Sequence, residues 1–378
     1  MAETRIARDE AATTVTEERI WVASQWQLIW WRFRKHRLAM AGGIVILLSY
    51  LVVIGADFLA YSDPTASDAN RSLMPPQAIR WLDDGRLSPH VLALKGRRDP
   101  VTLKRVYEPD PNKKLPVILF ARGFEYKFLG VIPTDRHLIG VEGARVEESI
   151  FILGTDQLGR DLWSRLMRGT QTSLTIGLVG VALSLFLGIL FGGLSGSYGG
   201  VLDTAIQRVI EVLRSIPTIP LWMGLGAAMP RDWEITKVYL AITVILSLIG
   251  WTELARVVRG RFLSLRQEDF ILAAEFVGCS RMRIIFRHMV PSFLSHIIAA
   301  TTLALPAMII SETSLSFVGL GLRPPAISWG VLLQNAQTIQ ALALSPWLLI
   351  PAIPVIIAIL ALNFLGDGLR DAADPYEV

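Results

Sequence analysis

The sequence predicts an all-α polytopic membrane protein with six transmembrane helices and one small, β-rich extracytoplasmic insert between the first two. Three observations lead there. Uncharged apolar runs of span length recur along the 378-residue chain. Glycine (30) and proline (20) are plentiful in and around those runs, which spans tolerate better than soluble helices do. An arginine-rich polar segment is enclosed between two of the runs, as the positive-inside rule expects of a cytoplasmic loop. Hydrophobic residues make up 52%, above the share of an ordinary soluble domain, and mean hydropathy is +0.45. Net charge is only +4, and the basic residues flank apolar runs, which excludes a nucleic-acid-binding face. Cys279 is the single cysteine, so no disulfide forms within the chain.

Residues 1–16 are polar and expected to be disordered. From Glu17 to Arg37, Ile20, Trp21, Trp26, Ile29, Trp30 and Phe33 alternate with Arg19, Arg32, Arg34 and Lys35. Tryptophans beside cations suit the headgroup layer, so 1–37 reads as a cytoplasmic tail ending in an interfacial helix. The first span occupies 38–60, with Leu38–Ala56 uncharged, and the basic cluster before it holds the N-terminus inside. This run is too long for the apolar core of a signal peptide. Residues 61–150 form the extracytoplasmic insert. Prolines punctuate it, and Val117–Phe120 and Tyr126–Leu129 read as strands.

Residues 151–378 hold the other five spans. Gly154-Thr155-Asp156-Gln157-Leu158-Gly159-Arg160-Asp161 reads as a turn into a short interfacial helix carrying Leu162, Trp163, Leu166 and Met167. Gln171–Leu202 is an uncharged span. Along it Gly180, Ser184, Gly188, Gly192, Gly196 and Gly200 recur every fourth residue, a pattern that predicts close helix–helix packing. Asp203–Arg214 reads as a polar cytoplasmic turn and Pro217–Met229 as the shortest span, with Arg231, Asp232 and Glu234 in the next turn. Val238–Thr252 and Ser292–Ser311 are further spans. Trp329 and Trp347 fit an interfacial belt. Pro346–Gly366 is the last span, and Asp367, Arg370, Asp371 and Asp374 form a tail that returns the C-terminus to the cytoplasm.

The loop 256–291 is the most informative stretch. Seven arginines lie between Arg256 and Arg287. Phe270, Ala273, Ala274, Val277 and Gly278 share one helical face, with Glu268 and Asp269 in the first turn and Arg281 and Arg283 beyond its end, as the helix dipole prefers. The small residues leave a shallow surface that another protein can approach. Pro291 opens the following span, where its missing N–H is least disruptive.

Three motifs in these segments resemble those of binding-protein-dependent ABC import permeases. The Ala273-Ala274, Gly278, Pro291 spacing resembles the family's cytoplasmic signature loop, with Leu272 where a glutamate is usual. Gly154–Asp161 resembles the Gly-Thr-Asp-x2-Gly-Arg-Asp string of the C-type subunit in the dipeptide/oligopeptide/nickel branch. Glu312 opens a third string, with Ser316 and Phe317, that ends at Gly321. The resemblance covers about residues 20–60 and 150–378. It implies a permease that couples to an ATPase through Glu268, Asp269, Phe270, Ala273, Ala274, Gly278, Arg281 and Arg283. It further implies a homologous B-type permease, two ATPase subunits, an extracytoplasmic substrate-binding protein and membrane lipid as partners, in a prokaryotic plasma (inner) membrane. Peptide is the substrate it implies, with oligosaccharides or another small solute as the alternative.

A carboxylate at membrane depth needs water or a partner, so Glu312 reads either as lining a translocation path near the outer gate, with Ser316 and Phe317, or as bonded at a helix break. No phosphate-binding Gly-x4-Gly-Lys-Ser/Thr loop is present, so nothing in the sequence reads as cradling ATP, and the resemblance implies that ATP and Mg belong to the partner subunits. The five histidines are scattered, no metal-ligand spacing or nucleophile motif occurs, and the chain does not read as an enzyme. An ion-driven secondary transporter would need buried ionisable groups in mid-span, which are nearly absent. A membrane-anchored scaffold without a transport role is the remaining class.

Overall fold

A computed structural model describes residues 25–83, 86–98, 100, 105–141, 150–230 and 232–373. The N-terminal tail, the first part of the interfacial segment, Arg231, Asp374 and the end of the insert at 142–149 lie outside them.

Helix α1 (Gln25–Lys35) leads at His36 into α2 (Arg37–Ile54). His36 caps α2, its Nδ1 accepting from the Ala39 N–H at 3.0 Å. Phe33 is buried against Ala39 and Ala372, while Trp26, Trp30 and Trp31 remain exposed beside Arg32 and Arg34. The apolar helices that follow are α3 (Leu162–Tyr198), α6 (Ile235–Leu265), α8 (Leu294–Phe317) and α11 (Ala352–Ala373). Between them lie α4 (Gly200–Ser215), α5 (Thr218–Ala227), α7 (Asp269–Phe276), α9 (Trp329–Gln334) and α10 (Ile339–Leu344).

Among the described residues five helices are long and apolar enough to cross a bilayer, not the six predicted. The difference lies at 203–229. The stretch read as a turn is the sixteen-residue helix α4, and the run read as a span is the ten-residue α5. Ten residues rise about 15 Å, half of a hydrocarbon core. The two helices together run antiparallel to α6. Asp203 meets Arg259 at the start, Ile210 packs on Trp251 and Ala255, Arg214 meets Glu253, and Met229 lies by Val238. Arg208, Glu211 and Arg214 occupy one face of α4 and Ile206, Ile210 and Leu213 another, so the charges hide a traverse from a reading that seeks uncharged runs.

The remaining helices alternate in direction. The start of α2 and the end of α11 meet at one end of the bundle, where Gly368 faces Ala39 and Gly42 faces the Ala361 carbonyl. That end also carries α7. The opposite end carries the insert, built of three small antiparallel units. Strands β1 (Arg80–Asp83), β2 (Arg86–Arg98) and β3 (Arg105–Pro116) form one sheet in that order. Strand β4 (Ile118–Leu119) pairs with β7 (Ile139–Gly140), and β5 (Arg122–Phe128) with β6 (Ile132–Arg136) through a turn in which Leu129 and Gly130 both have positive φ. Tyr61, Val91, Leu115, Val141 and Ile150 form its core, with Trp163 of α3 packed against them. The short interfacial helix expected at Leu162 is the first part of α3, which continues for 37 residues.

The glycine row of α3 does not meet a single neighbour. A four-residue step turns about 40° past a full rotation each time, so the row winds around the helix. Gly180 faces Met308 of α8, Ser184 faces Gly250 of α6, and Gly188, Gly192 and Gly196 face Leu254, Ala255 and Phe262 of α6. A Cβ on Gly192 would sit 2.5 Å from the Ala255 carbonyl oxygen, so only glycine admits this approach. Gly200 is outside the contact; it opens α4 at φ +60 with no atom within 4 Å. Trp329 is likewise not in an interfacial belt. It is 1% exposed in the largest core cluster, and its indole N–H donates to Thr170 Oγ1 at 3.1 Å. Trp347 donates to the Thr155 carbonyl at 3.0 Å.

Candidate functional site

The loop end presents an outward-turned helix. Glu268 precedes α7 in extended conformation, and Asp269 stands in its first turn. The helix ends because Gly278 takes φ +80. Its N–H bonds the Glu275 carbonyl and the Cys279 N–H the Ala274 carbonyl, the paired bonds of a Schellman cap. Ile271, 1% exposed, anchors α7 among Phe262, Ile284 and Ile285. The face opposite is open. Phe270 is 45% exposed, Phe276 91% and Val277 83%, and Ala273 is exposed beside them. Ala274 is half-buried.

Arg281 turns back to the end of α3, donating to the Ser197 carbonyl at 2.8 Å and lying 5.0 Å over the Tyr198 ring. Arg283 is exposed. Asp203 of α4 accepts two bonds from Arg259 of α6, each 2.6 Å, and a third from Ser195 of α3. Three elements, α3, α4 and α6, are therefore tied together behind α7. A π-helical turn at Ile284–Met289 precedes Pro291, and α8 begins at Leu294. Of the small residues the sequence singled out on α7, Ala273 lies exposed and Ala274 half-buried; the sequence reading did not single out Phe276, its most exposed large side chain, or Ile271, its anchor. The i, i+5 relation of those two was the available signal: half a turn off a common face, one had to point in and the other out.

The insert end is held by enclosed carboxylates. Asp161 caps α3, accepting from the Ser164 N–H at 2.7 Å and from the Tyr61 hydroxyl at 3.0 Å. Burial pushes its carboxyl up to about 6, against the pull of those bonds and of the Trp163 N–H. Asp156, fully buried, accepts from the Leu158 and Arg160 N–H groups and from Arg160 Nε at 2.7 Å, and lies 3.6 Å from Arg165 Nε. Arg165, 1% exposed, donates to the Pro64 carbonyl at the entrance of the insert. Gly159 has φ +72 and its missing Cβ would overlap the Asp68 carbonyl, so this motif clasps the irregular segment that follows the first span.

Glu312 and Ser316 are fully enclosed, and Phe317 is 38% exposed. Glu312 accepts from Ser316 at 2.8 Å, from Ser173 of α3 at 3.0 Å and from Ser328. Ser173 in turn accepts from the Trp329 N–H and Ser316 from the Leu322 N–H. The carboxylate thus joins α3, α8 and the segment returning into α9. Among the described residues no three His, Cys, Asp or Glu side chains gather as a metal-binding set.

Residues 188–376, half of the chain, match the family model described as binding-protein-dependent transport system inner membrane component. The chain belongs to that family. Residues 24–76 match a second model, the N-terminal transmembrane domain of oligopeptide transport permease C. Among curated relatives, the family member from Haemophilus influenzae named oligopeptide transport system permease protein is 37% identical, covering 70% of this chain and 85% of its own. The Escherichia coli protein of the same name is 38% identical over 60% of this chain and 73% of its own. A dipeptide transport system permease protein of Bacillus subtilis is 35% identical over 59% and 68%. The MetNI methionine ABC transporter, solved in inward-facing form, covers 55% of this chain and 96% of its own at 21% identity and a TM-score of 0.41. As a member of this family the chain is a multi-pass inner-membrane permease subunit of an ABC importer, with α3, α4, α6, α7, α8 and α11 inside or overlapping the matched region.

Proposed function

We propose that this permease subunit imports peptides, forming the translocation path with a homologous B-type permease. An extracytoplasmic binding protein delivers the peptide, and two ATPase subunits supply ATP and Mg. Peptide rests on the relatives, whose names specify oligopeptide or dipeptide transport. The observation that carries the coupling role is α7, a helix that buries Ile271 yet turns Phe270, Phe276 and Val277 outward. A capped, anchored helix with an apolar open face is a socket plug for another protein. Its docking on the ATPase puts the loop end in the cytoplasm, together with Arg281, Arg283 and both chain ends, and the insert outside.

Movement of α7 reaches the bundle through Arg281 and the Asp203–Arg259–Ser195 tie. Arg281 connects the α7 segment to α3, and the tie holds α3, α4 and α6 together as a unit. At the far end Glu312 and Ser316 latch α8 to α3 and α9, and Phe317 stands beside them at the outer gate. The coupling free energy comes from the partners; this chain contributes the two arrangements between which it shifts.

The test is assembly and vectorial uptake. The chain, purified from its host membrane, brings with it subunits that hydrolyse ATP. Proteoliposomes of the complex accumulate labelled peptide only with ATP and binding protein. Uptake driven by a proton or sodium gradient without ATP would sink the proposal, as would accumulation of oligosaccharide in place of peptide.

A further inference from the structure

The β5–β6 hairpin bounds a cavity of about 770 Å³ at the insert end of the bundle. Phe124–Gly130 form one side, and Ile54, Asp57, Arg168 and Gln171 the other. One side chain joins the two sides. His137 follows β6 directly and is 1% exposed. Its Nδ1 lies 2.9 Å from the carbonyl oxygen of Asp57, in the helical turn Ala56–Leu59 after the first span. Its Nε2 lies 3.0 Å from the Phe124 carbonyl oxygen of β5. The ring is closely fitted. Phe124 and Tyr126 stand against it with centroids 4.4 and 5.1 Å away, and a Cβ on Gly123 would come within 2.6 Å of its Cδ2. The pairing of β5 with β6 shifts register between Arg122 and Tyr126, the stretch that holds Phe124.

Both partners of the ring are carbonyl oxygens, which only accept. A neutral imidazole has a single N–H. It bonds one carbonyl and turns a lone pair on the other at contact distance. Only a ring that carries both protons satisfies Asp57 and Phe124 together. Several charged groups surround it. The Asp57 carboxylate, on the helical turn, is paired with Arg168 of α3 at 2.9 Å. Arg122, Glu125 and Tyr126 come from β5, and Asp135 and Arg136 from β6. Arg122 lies 3.8 Å from Asp135, and Arg136 donates to the Phe120 carbonyl at 2.9 Å. Asp63 and Lys127 complete the charged lining of the cavity. Side chains of these types ordinarily change charge outside the window of about pH 5 to 8, and histidine changes within it.

We propose that His137 is a proton-operated clasp between the hairpin and the bundle. With both ring nitrogens protonated, β5 is held to the Asp57 turn. When the ring loses a proton, the carbonyl facing the bare nitrogen is released, and the irregular stretch of β5 loosens over the cavity. The main-chain bonds from His137 to Ala121 and from Leu138 to Phe58 do not involve the ring, so they keep the base of the hairpin in place while the β5 arm yields. Closure is therefore complete in acid and is lost as pH rises. This device does not depend on which solute the subunit imports.

The test is amide hydrogen exchange, read by mass spectrometry on the full chain in lipid nanodiscs and corrected for the intrinsic pH dependence of exchange. Protection of residues 122–136, taken relative to β3 of the same insert, falls about fivefold from about pH 5 to about pH 8, the equivalent of one hydrogen bond. The ratio to β3 separates this change from any general loosening that accompanies Asp161. His137→Asn places an amide near the Nδ1 position, keeps the Asp57 bond, falls short of Phe124 and carries no titrating proton. It shows the loosened hairpin at both pH values. Where that variant does not fold, His137→Gln serves, and it too removes the pH dependence. A pH dependence that persists in either variant assigns the change to another group and overturns the clasp. A wild-type hairpin equally protected at both pH values overturns it as well, and that result needs no variant.

Discussion

The two ends of the bundle are held by opposite means. At the insert end the ionisable groups are enclosed: Asp156, Asp161, Arg165 and Glu312 are each at most 1% exposed and bonded to backbone or hydroxyl groups. At the loop end the ties are guanidinium–carboxylate pairs that water reaches, and the large apolar groups of α7 are the exposed ones. Enclosed polar groups fix one geometry, because any displacement leaves one of them unpaired. Wetted ion pairs and an open apolar face yield and re-form at small cost. The difference assigns rigidity to the end that carries the insert and adaptability to the end that carries α7.

The sharpest way to break the comparison is at Asp156. Asp156→Ala leaves Arg160 and Arg165 buried without their carboxylate, and the expected loss is about 3–5 kcal/mol. Thermal unfolding of the purified chain, or tryptic release of the insert, reads it; a melting temperature equal to wild type would refute the enclosed-clasp account. Next in size is the pH dependence carried by Asp161. Its folded carboxyl holds a proton up to about pH 6, whereas the unfolded one releases it near the ordinary aspartate value. Between those points the folded state binds more protons, so stability falls as pH rises from about 4 to about 6 and is flat above, by at most about 3 kcal/mol. Asp161→Asn should flatten that part of the curve, and a wild-type profile rising with pH over the same window contradicts the assignment.

Gly192→Leu tests the bundle between the two ends. With the Ala255 carbonyl 2.5 Å from the added Cβ, α3 and α6 must separate, at about 1–3 kcal/mol. Gly200→Leu is the contrast at the row's last position: its surroundings are open, so any penalty there comes from its positive φ alone and not from packing. The smallest effect on stability belongs to α7. Phe276→Ala should change the melting of the isolated chain by less than about 0.5 kcal/mol. It should nevertheless weaken retention of the ATPase at least tenfold in a pull-down. Equal retention would mean that the open face is not where the partner sits.

The sequence made the apolar spans and α7 readable for a local reason. Their signals, uncharged runs and a glycine-terminated small-faced helix, lie within a few turns of chain. The traverse at α4 and α5 was not readable in this way, since Arg208, Glu211 and Arg214 sit in a helix whose apolar side is supplied to α6. Trp329 looked interfacial because tryptophan usually is; its burial depends on Thr170 and Ser173, remote in sequence. The insert gave the same lesson. The strand expected at Val117–Phe120 is only Ile118–Leu119, because Phe120 turns to φ +55 and the partner strand lies at Ile139.

Glu312 also bears on how the chain enters the bilayer. Helix α8 leaves the ribosome before Ser328 and Trp329, so when it first meets lipid its carboxyl group has Ser316 nearby but not the full set of partners. A lone span in that condition is a poor passenger in hydrocarbon. Its settling is therefore tied to the earlier α3, through Ser173, and to the segment translated just after it, which makes membrane integration of this half of the molecule a joint event and not a helix-by-helix one.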